Sequence, residues 1–185
     1  GDHRHLHSFP TRRSSDLDRL PVRHPFEPVY GASSYILILG TMPSVLSRQN
    51  HFYYGHPQNR FWPLLAKLFH ERIPQTIEEK TTLILAHNLA LWDVLMQCQI
   101  RGSADSTIQD AVANPIDQLL AHCPIRTIFA NGQTAGTLYR RHIEPVTQMP
   151  ITILPSTSPA NARFSLDDLA VQWQVILEVL HHQPW

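Results

Sequence analysis

The sequence predicts an α/β fold: three layers, α/β/α, around a central, mainly parallel four-stranded sheet. Three observations lead there. Short apolar runs of strand length recur along the chain, and the first is apolar on both alternating faces, as a strand covered by two helical layers must be. Segments of helical pattern separate these runs, and strands alternating with helices give a parallel sheet with helices on both faces. The polar residues with chemical potential gather in the loops that follow strands, where open α/β sheets bind their ligands.

Taken in order, residues 1–17 (GDHRHLHSFPTRRSSDL) have neither helical nor strand periodicity and are expected to be disordered. Within them SFPTRRSSDL resembles a translated sequencing adapter, so the stretch is set aside from the fold as a non-native segment. Its His3, His5 and His7 alternate, but an unstructured tail is preferred to a metal site. Residues 18–185 are expected to form one domain. DRLPVRHPFEPVYG is Pro-rich and expected to lie extended over the body, with Phe26 and Tyr30 as anchors. Residues 35–39 read as a central strand, and 61–69 (FWPLLAKLF) as a short helix with Pro63 in its first turn. Residues 77–88 form a second helix. LALWDVL (89–95) reads as a second strand with Trp92 and Val94 buried and Asp93 facing a loop.

Residues 99–106 read as a loop and 116–122 as a helix. A third strand covers 125–130 and ends in an Asn131-Gly132 turn, leading into a helix over 134–141. Residues 151–154 are the fourth strand. After the polar loop LPSTSPANARFS, Ser165 and Asp168 have the spacing of a capping box. The closing helix carries Leu166, Leu169, Trp173, Ile176, Leu177 and Leu180 on one face, a stripe destined for the core.

Composition narrows the function. With 43% hydrophobic and 16% charged residues the 185-residue chain is of the compact soluble class, and its formal charge is zero. Without the three arginines and two aspartates of 1–17 the charge is minus one, so any nucleic-acid contact rests on a local patch. No apolar run reaches membrane-spanning length and no signal-peptide core is visible, which gives a cytoplasmic expectation. Cys98 and Cys123 are too few for a disulfide framework and read as buried thiols.

The stretch 36–62, ILILGTMPSVLSRQNHFYYGHPQNRFW, holds the chemistry. Its GTMPS turn and the later LPSTSPANA loop should meet over the carboxyl edge of the sheet. GTMPS resembles the opening motif of the uracil-DNA glycosylase superfamily. Followed by YYGHPQNRFW, it is most similar to the hypoxanthine-DNA (deoxyinosine) glycosylase branch, while the mismatch-specific uracil branch carries a similar HPxNRFW in the same register. LALWDVL, NGQTAG and LPSTSPANA resemble family segments in the expected order, so the likeness runs from about residue 35 to the closing helix. It implies a DNA repair enzyme that hydrolyses the N-glycosidic bond of a deaminated base and leaves an abasic site. That base is hypoxanthine from deoxyinosine, with uracil or xanthine as further candidates.

The resemblance also implies roles. Gly40, Thr41, Met42, Pro43 and Ser44 shape a backbone cradle for the base, and Tyr54 supplies a stacking face; Tyr54 also fits an ordinary half-buried aromatic. Mismatch-specific uracil relatives have a catalytic Asn where this chain has Met42, and in the hypoxanthine branch the Asn of HPxN takes that role. Asn59 is therefore the expected catalytic amide, although an Asn just before a helix also suits an N-cap. His56 is expected to stabilise the leaving base or contact phosphate, or to be structural beside Pro57. Ser156, Thr157 and Ser158 offer hydroxyls to phosphates. Pro159, Ala160 and Asn161 occupy the position from which relatives push a wedge into the base stack, though Ala160 is small for that task. Arg48, Arg60 and Arg163 are either a local positive patch or solvated surface.

Absences complete the expectation. The only lysines, Lys67 and Lys80, lie in predicted helices away from these loops, so the enzyme should be monofunctional, without a lyase step. Two cysteines cannot hold a four-cysteine iron–sulfur cluster, no metal ligand set is apparent, and no cofactor is expected. The expected partner is DNA containing deaminated bases, the expected state a monomer without membrane contact. A second class stays open: with Met42 in the first turn, the chain would be a member of the same fold that binds DNA or free bases without cleaving them.

Overall fold

The computed structural model describes residues 20–23, 27–43, 47, 49, 52–100 and 109–182. Expectations for residues 1–17, Phe26, Ser44 and Arg48 fall outside them, as does the side chain of Cys98; Cys123 is buried as expected. Four strands form the central sheet: β2 (Ile36–Gly40), β3 (Leu89–Asp93), β6 (Thr127–Asn131) and β7 (Ile151–Leu154). Their order is β3-β2-β6-β7 and every neighbouring pair is parallel. All five residues of β2 and of β3 are buried, which is why both runs are apolar without alternation up to their last residues, Gly40 and Asp93.

Around the sheet run α1 (Phe61–Phe69), α2 (Ile77–Ala86), α3 (Ile116–His122), α4 (Gln133–His142), α5 (Glu144–Thr147), α6 (Leu166–Trp173) and α7 (Val175–His181). The order places a topological switch point between β2 and β6. From β2 the chain moves to β3 on one side; from β6 it moves to β7 on the other. Right-handed crossovers taken in opposite directions put their helices on opposite faces, so the three-layer expectation holds. The predicted boundaries of α1, α3 and β7 agree with the observed ones; α2 stops at Ala86, before the left-handed Asn88. The closing stripe is broken at Gln174 into α6 and α7, with Leu169, Trp173 and Ile176 in the core and Leu166, Leu177 and Leu180 half-buried. The capping box is present: Ser165 Oγ accepts from Asp168 N–H, and Asp168 Oδ2 accepts from Ser165 N–H.

A second sheet departs from expectation. Strand β1 (Leu20–Arg23) pairs antiparallel with β4 (Leu95–Ile100), which pairs antiparallel with β5 (Gln109–Ala113). The segment read as extended cover is thus partly a strand, and the loop expected from residue 99 begins inside β4. The run 89–100 is continuous in sequence, but a bend at Val94 sends its halves into different sheets. Val29 adds one antiparallel bridge to the β3 edge at Leu91, whereas Tyr30, expected as an anchor, is 43% exposed.

Candidate active site

A cavity of about 410 Å³ opens over the carboxyl edge at the switch point, within the size range of small-molecule sites. Its walls come from the ends of all four parallel strands. Gly40, Thr41, Met42 and Pro43 follow β2; Asp93 ends β3; Asn131 ends β6; Ser156, Thr157 and Ser158 follow β7. Ser47, Tyr53, Tyr54, Asn59 and Ala160 complete the lining.

Tyr54 adopts a left-handed backbone (φ 52°), unusual for an aromatic residue and typical of sites where the surroundings over-determine a strained conformation. Its ring stacks on Phe61 at 4.0 Å between centroids and 25° between planes. Phe61 is fully buried at the start of α1 and backs one face of the tyrosine, which itself lines the cavity. The phenol oxygen is buried without a hydrogen-bond partner; the Asn131 amide approaches it but misses hydrogen-bond geometry. Burial, and after it the nearby Asp93 carboxylate, push the phenols of both Tyr54 and Tyr53 above their ordinary range. Tyr53 Oη donates to Glu27 O at 2.9 Å.

Asp93 is 3% exposed and lies beside Gly40 in the register of β2 and β3. A methyl group on Gly40 would lie 2.3 Å from Asp93 Oδ1 and 3.0 Å from Tyr54 Oη, so only glycine lets the carboxylate and the phenol converge here.

Asn59 sits at the mouth of α1 in a chain of directed bonds. Its Oδ1 accepts from Phe61 N–H at 2.9 Å and from Thr157 Oγ1 at 2.9 Å. Asn131 Nδ2 donates to Thr157 Oγ1 at 3.0 Å, and Asn131 Oδ1 accepts from Thr157 N–H at 3.0 Å. Asn59 is therefore both a helix-start acceptor and a cavity residue, bonded to N1 of the helix while Arg60 holds the N-cap position.

The structure gathers Gly40, Thr41, Met42, Pro43, Tyr54, Asn59, Ser156, Thr157, Ser158 and Ala160 around one space. His56, Pro159 and Asn161 are outside that lining. His56 Nδ1 accepts from Gln58 N–H at 3.0 Å, and Asn161 Nδ2 closes its own loop by donating to Ser156 O at 3.0 Å. Two expectations need correcting. Thr157 is fully buried with its hydroxyl bonded to Asn59 and Asn131, so it does not offer that hydroxyl to a phosphate. Arg60 is neither patch nor solvated surface. Its guanidinium donates to the carbonyls of Phe164, of Ser158 at 2.8 Å and of Asn161 at 2.9 Å, and Nε reaches Thr157 O at 3.4 Å. One side chain thus clamps the second loop against the first.

Asp93, Asn131, Tyr53 and Ser47 were missed as site residues. Asp93 and Asn131 end strands that flank β2, and it is the sheet order that brings these two ends to one wall. Among the described residues no group of three or more acidic, His or Cys side chains is placed to hold a metal ion.

Comparison with known proteins shows the family and the fold. The family model described as the uracil DNA glycosylase superfamily matches residues 27–178. A relative from Methanosarcina acetivorans named hypoxanthine DNA glycosylase is 34% identical over 160 residues, covering 84% of this chain and 98% of its own. One of the same name from Methanosarcina barkeri is 33% identical over 144 residues, covering 75% of this chain and 87% of its own. The solution NMR structure of a Methanosarcina acetivorans protein, described as a candidate uracil DNA glycosylase, superposes with a TM-score of 0.75 at 32% identity, covering 88% of this chain and all of that one. The chain belongs to the uracil DNA glycosylase superfamily.

Proposed function

We propose that the chain is a monofunctional DNA glycosylase that hydrolyses the N-glycosidic bond of a deaminated base, and that hypoxanthine is the base it releases. The observation that carries this reading is the pairing of Tyr54 and Asn59 in one cavity at the switch point, in a chain similar along most of its length to relatives named hypoxanthine DNA glycosylase.

A base inside a duplex offers no path to its glycosidic bond, so it must be extruded into a pocket that stacks it and bonds its edge. Here Tyr54, stiffened by the stack on Phe61, takes the ring on its other face. The backbone of the 40–43 turn faces its edge. As the bond to the sugar breaks, positive charge grows on the sugar and negative charge on the base, and fixed donors aimed at the base lower the barrier. The Asn59 amide is such a donor, held at a helix start by the Phe61 N–H. The loop clamped by Arg60 lies across the cavity and faces the DNA strand through Ser156 and Ser158. Among the described residues no lysine lines the cavity, so no Schiff base forms there and the product is an intact abasic strand.

Single-turnover incubation with oligonucleotides containing inosine, xanthine or uracil tests this, with alkali to reveal abasic sites. Strand breaks after alkali in the inosine substrate, and none before alkali, are expected. Asn59→Ala should lower that rate on the order of 10²–10³-fold with DNA affinity retained. An enzyme that leaves all three substrates intact is not a glycosylase of this class.

A further inference from the structure

We infer that Thr157 is a positioning residue that fixes Asn59 as a donor-only amide. Asn59 then serves the departing base and does not orient the attacking water. The inference rests on the glycosylase reading of this cavity.

An amide oxygen has two lone pairs, and both of those on Asn59 Oδ1 are taken inside the protein, by Phe61 N–H and by the Thr157 hydroxyl, each at 2.9 Å. The direction of every bond is set by main-chain donors, which cannot reverse. Thr157 N–H points at Asn131 and so fixes the oxygen of that amide on its near side. Asn131 must then present Nδ2 to Thr157 Oγ1, where it donates at 3.0 Å. With its oxygen accepting there, the threonine hydroxyl sends its hydrogen to Asn59. Phe61 N–H independently demands an oxygen at the same atom, so the two ends of the chain agree on the amide orientation.

What remains of the Asn59 side chain is Nδ2, which donates to no described residue while Asn59 lines the cavity. Orienting a water for attack takes an acceptor for one of its hydrogens, and this amide has none left. It has two N–H groups, made stronger donors by the two bonds that polarise its carbonyl. Such a group matches the charge that grows on a leaving purine. Thr157, fully buried, touches neither base nor sugar on this account and acts only through Asn59.

Three variants on the inosine substrate separate the possibilities, with wild-type cleavage as the reference. Thr157→Val keeps the side-chain shape and loses the hydroxyl; its single-turnover rate should fall on the order of 100-fold while affinity for the oligonucleotide stays within a few-fold. Thr157→Ser restores the hydroxyl and should recover most of the rate. Asn59→Asp keeps an acceptor for Phe61 and Thr157 but loses both N–H donors; at neutral pH it should be as slow as Asn59→Ala. An Asn59→Asp enzyme near wild-type rate would assign Asn59 to water and overturn the inference, and this holds even if Thr157→Val melts too early to assay. A folded Thr157→Val at wild-type rate would overturn the positioning role. A wild-type protein that leaves inosine intact would overturn the glycosylase reading beneath both, an outcome distinct from either failure.

Discussion

Arg60 shows how one side chain can hold a site without entering it. Its planar fork reaches carbonyls of Thr157, Ser158, Asn161 and Phe164, all in the loop that carries Thr157 into the cavity. An ammonium has the same charge but no fork, so the exchange is not conservative here. Arg60→Lys should lower stability by about 2 kcal/mol, the scale of a hydrogen bond to a charged group, and should speed amide exchange across 156–164. Urea midpoints with hydrogen exchange by mass spectrometry check both; unchanged protection in that loop would deny the clamp. None of this is legible in the sequence, where Arg60 is one of several arginines and its partners are main-chain atoms about 100 residues away. Tyr54 and Asn59 were legible because motif and register carried them. Asp93 and Asn131 were not, because a polar residue after an apolar run reads as the end of a strand until the sheet order shows that two such ends share a wall.

Among the elements, the parallel sheet was the readable part. Strands buried on both faces have no polar alternation to blur them, and the helices between them carry caps and stripes of ordinary kind. The antiparallel sheet was hidden for the opposite reason. β1 contains Pro21, β4 runs on from β3 with one bend between them, and β1 and β4 lie more than 70 residues apart in the chain. Pairing at that distance leaves no local pattern. Helix α6 illustrates the readable kind and supports a prediction. Ser165 closes the capping box, and its main-chain and side-chain bonds hold the Asp168 carboxyl below the usual carboxylate range. Ser165→Ala should cost about 1 kcal/mol in a urea titration with single-turnover rates unchanged, because Ser165 is outside the cavity lining and the anchors of α6, its packing on α1 and the Trp173 bond to Pro155 O, do not involve the cap. The exposed Lys67–Asp167 pair joins the same two helices at 2.6 Å, yet Lys67→Ala should change stability by less than about 1 kcal/mol. A larger loss from Lys67→Ala than from Ser165→Ala would reverse this ranking.

At the scale of the whole molecule, the cavity exists because four strands end together, and buried phenols at its wall and elsewhere in the core make the fold sensitive to alkali. Tyr53 and Tyr54 stand against its wall, and Tyr139 is buried between α4 and the segment before β7, donating to Met149 O at 2.7 Å. Burial pushes all three phenols above the ordinary value of 10.0. Below that pH the folded and unfolded chains both keep these protons, and stability does not depend on them. Above it the unfolded chain releases protons that the folded chain retains, so unfolding becomes more favourable as pH rises. Each phenol contributes a slope of about 1.4 kcal/mol per pH unit until its folded value is reached. The buried Cys123 thiol, also raised from its ordinary 9.0, acts in the same direction slightly earlier. Lys80, lowered by desolvation, opposes them as a single group. The expected outcome is a urea midpoint that is flat through neutral pH and falls steeply above about pH 10, with phenolate absorbance rising together with the loss of ellipticity. Phenolate absorbance that rises fully before the fold is lost would show that these tyrosines ionise in place, and would overturn the account in which their burial couples alkali to unfolding.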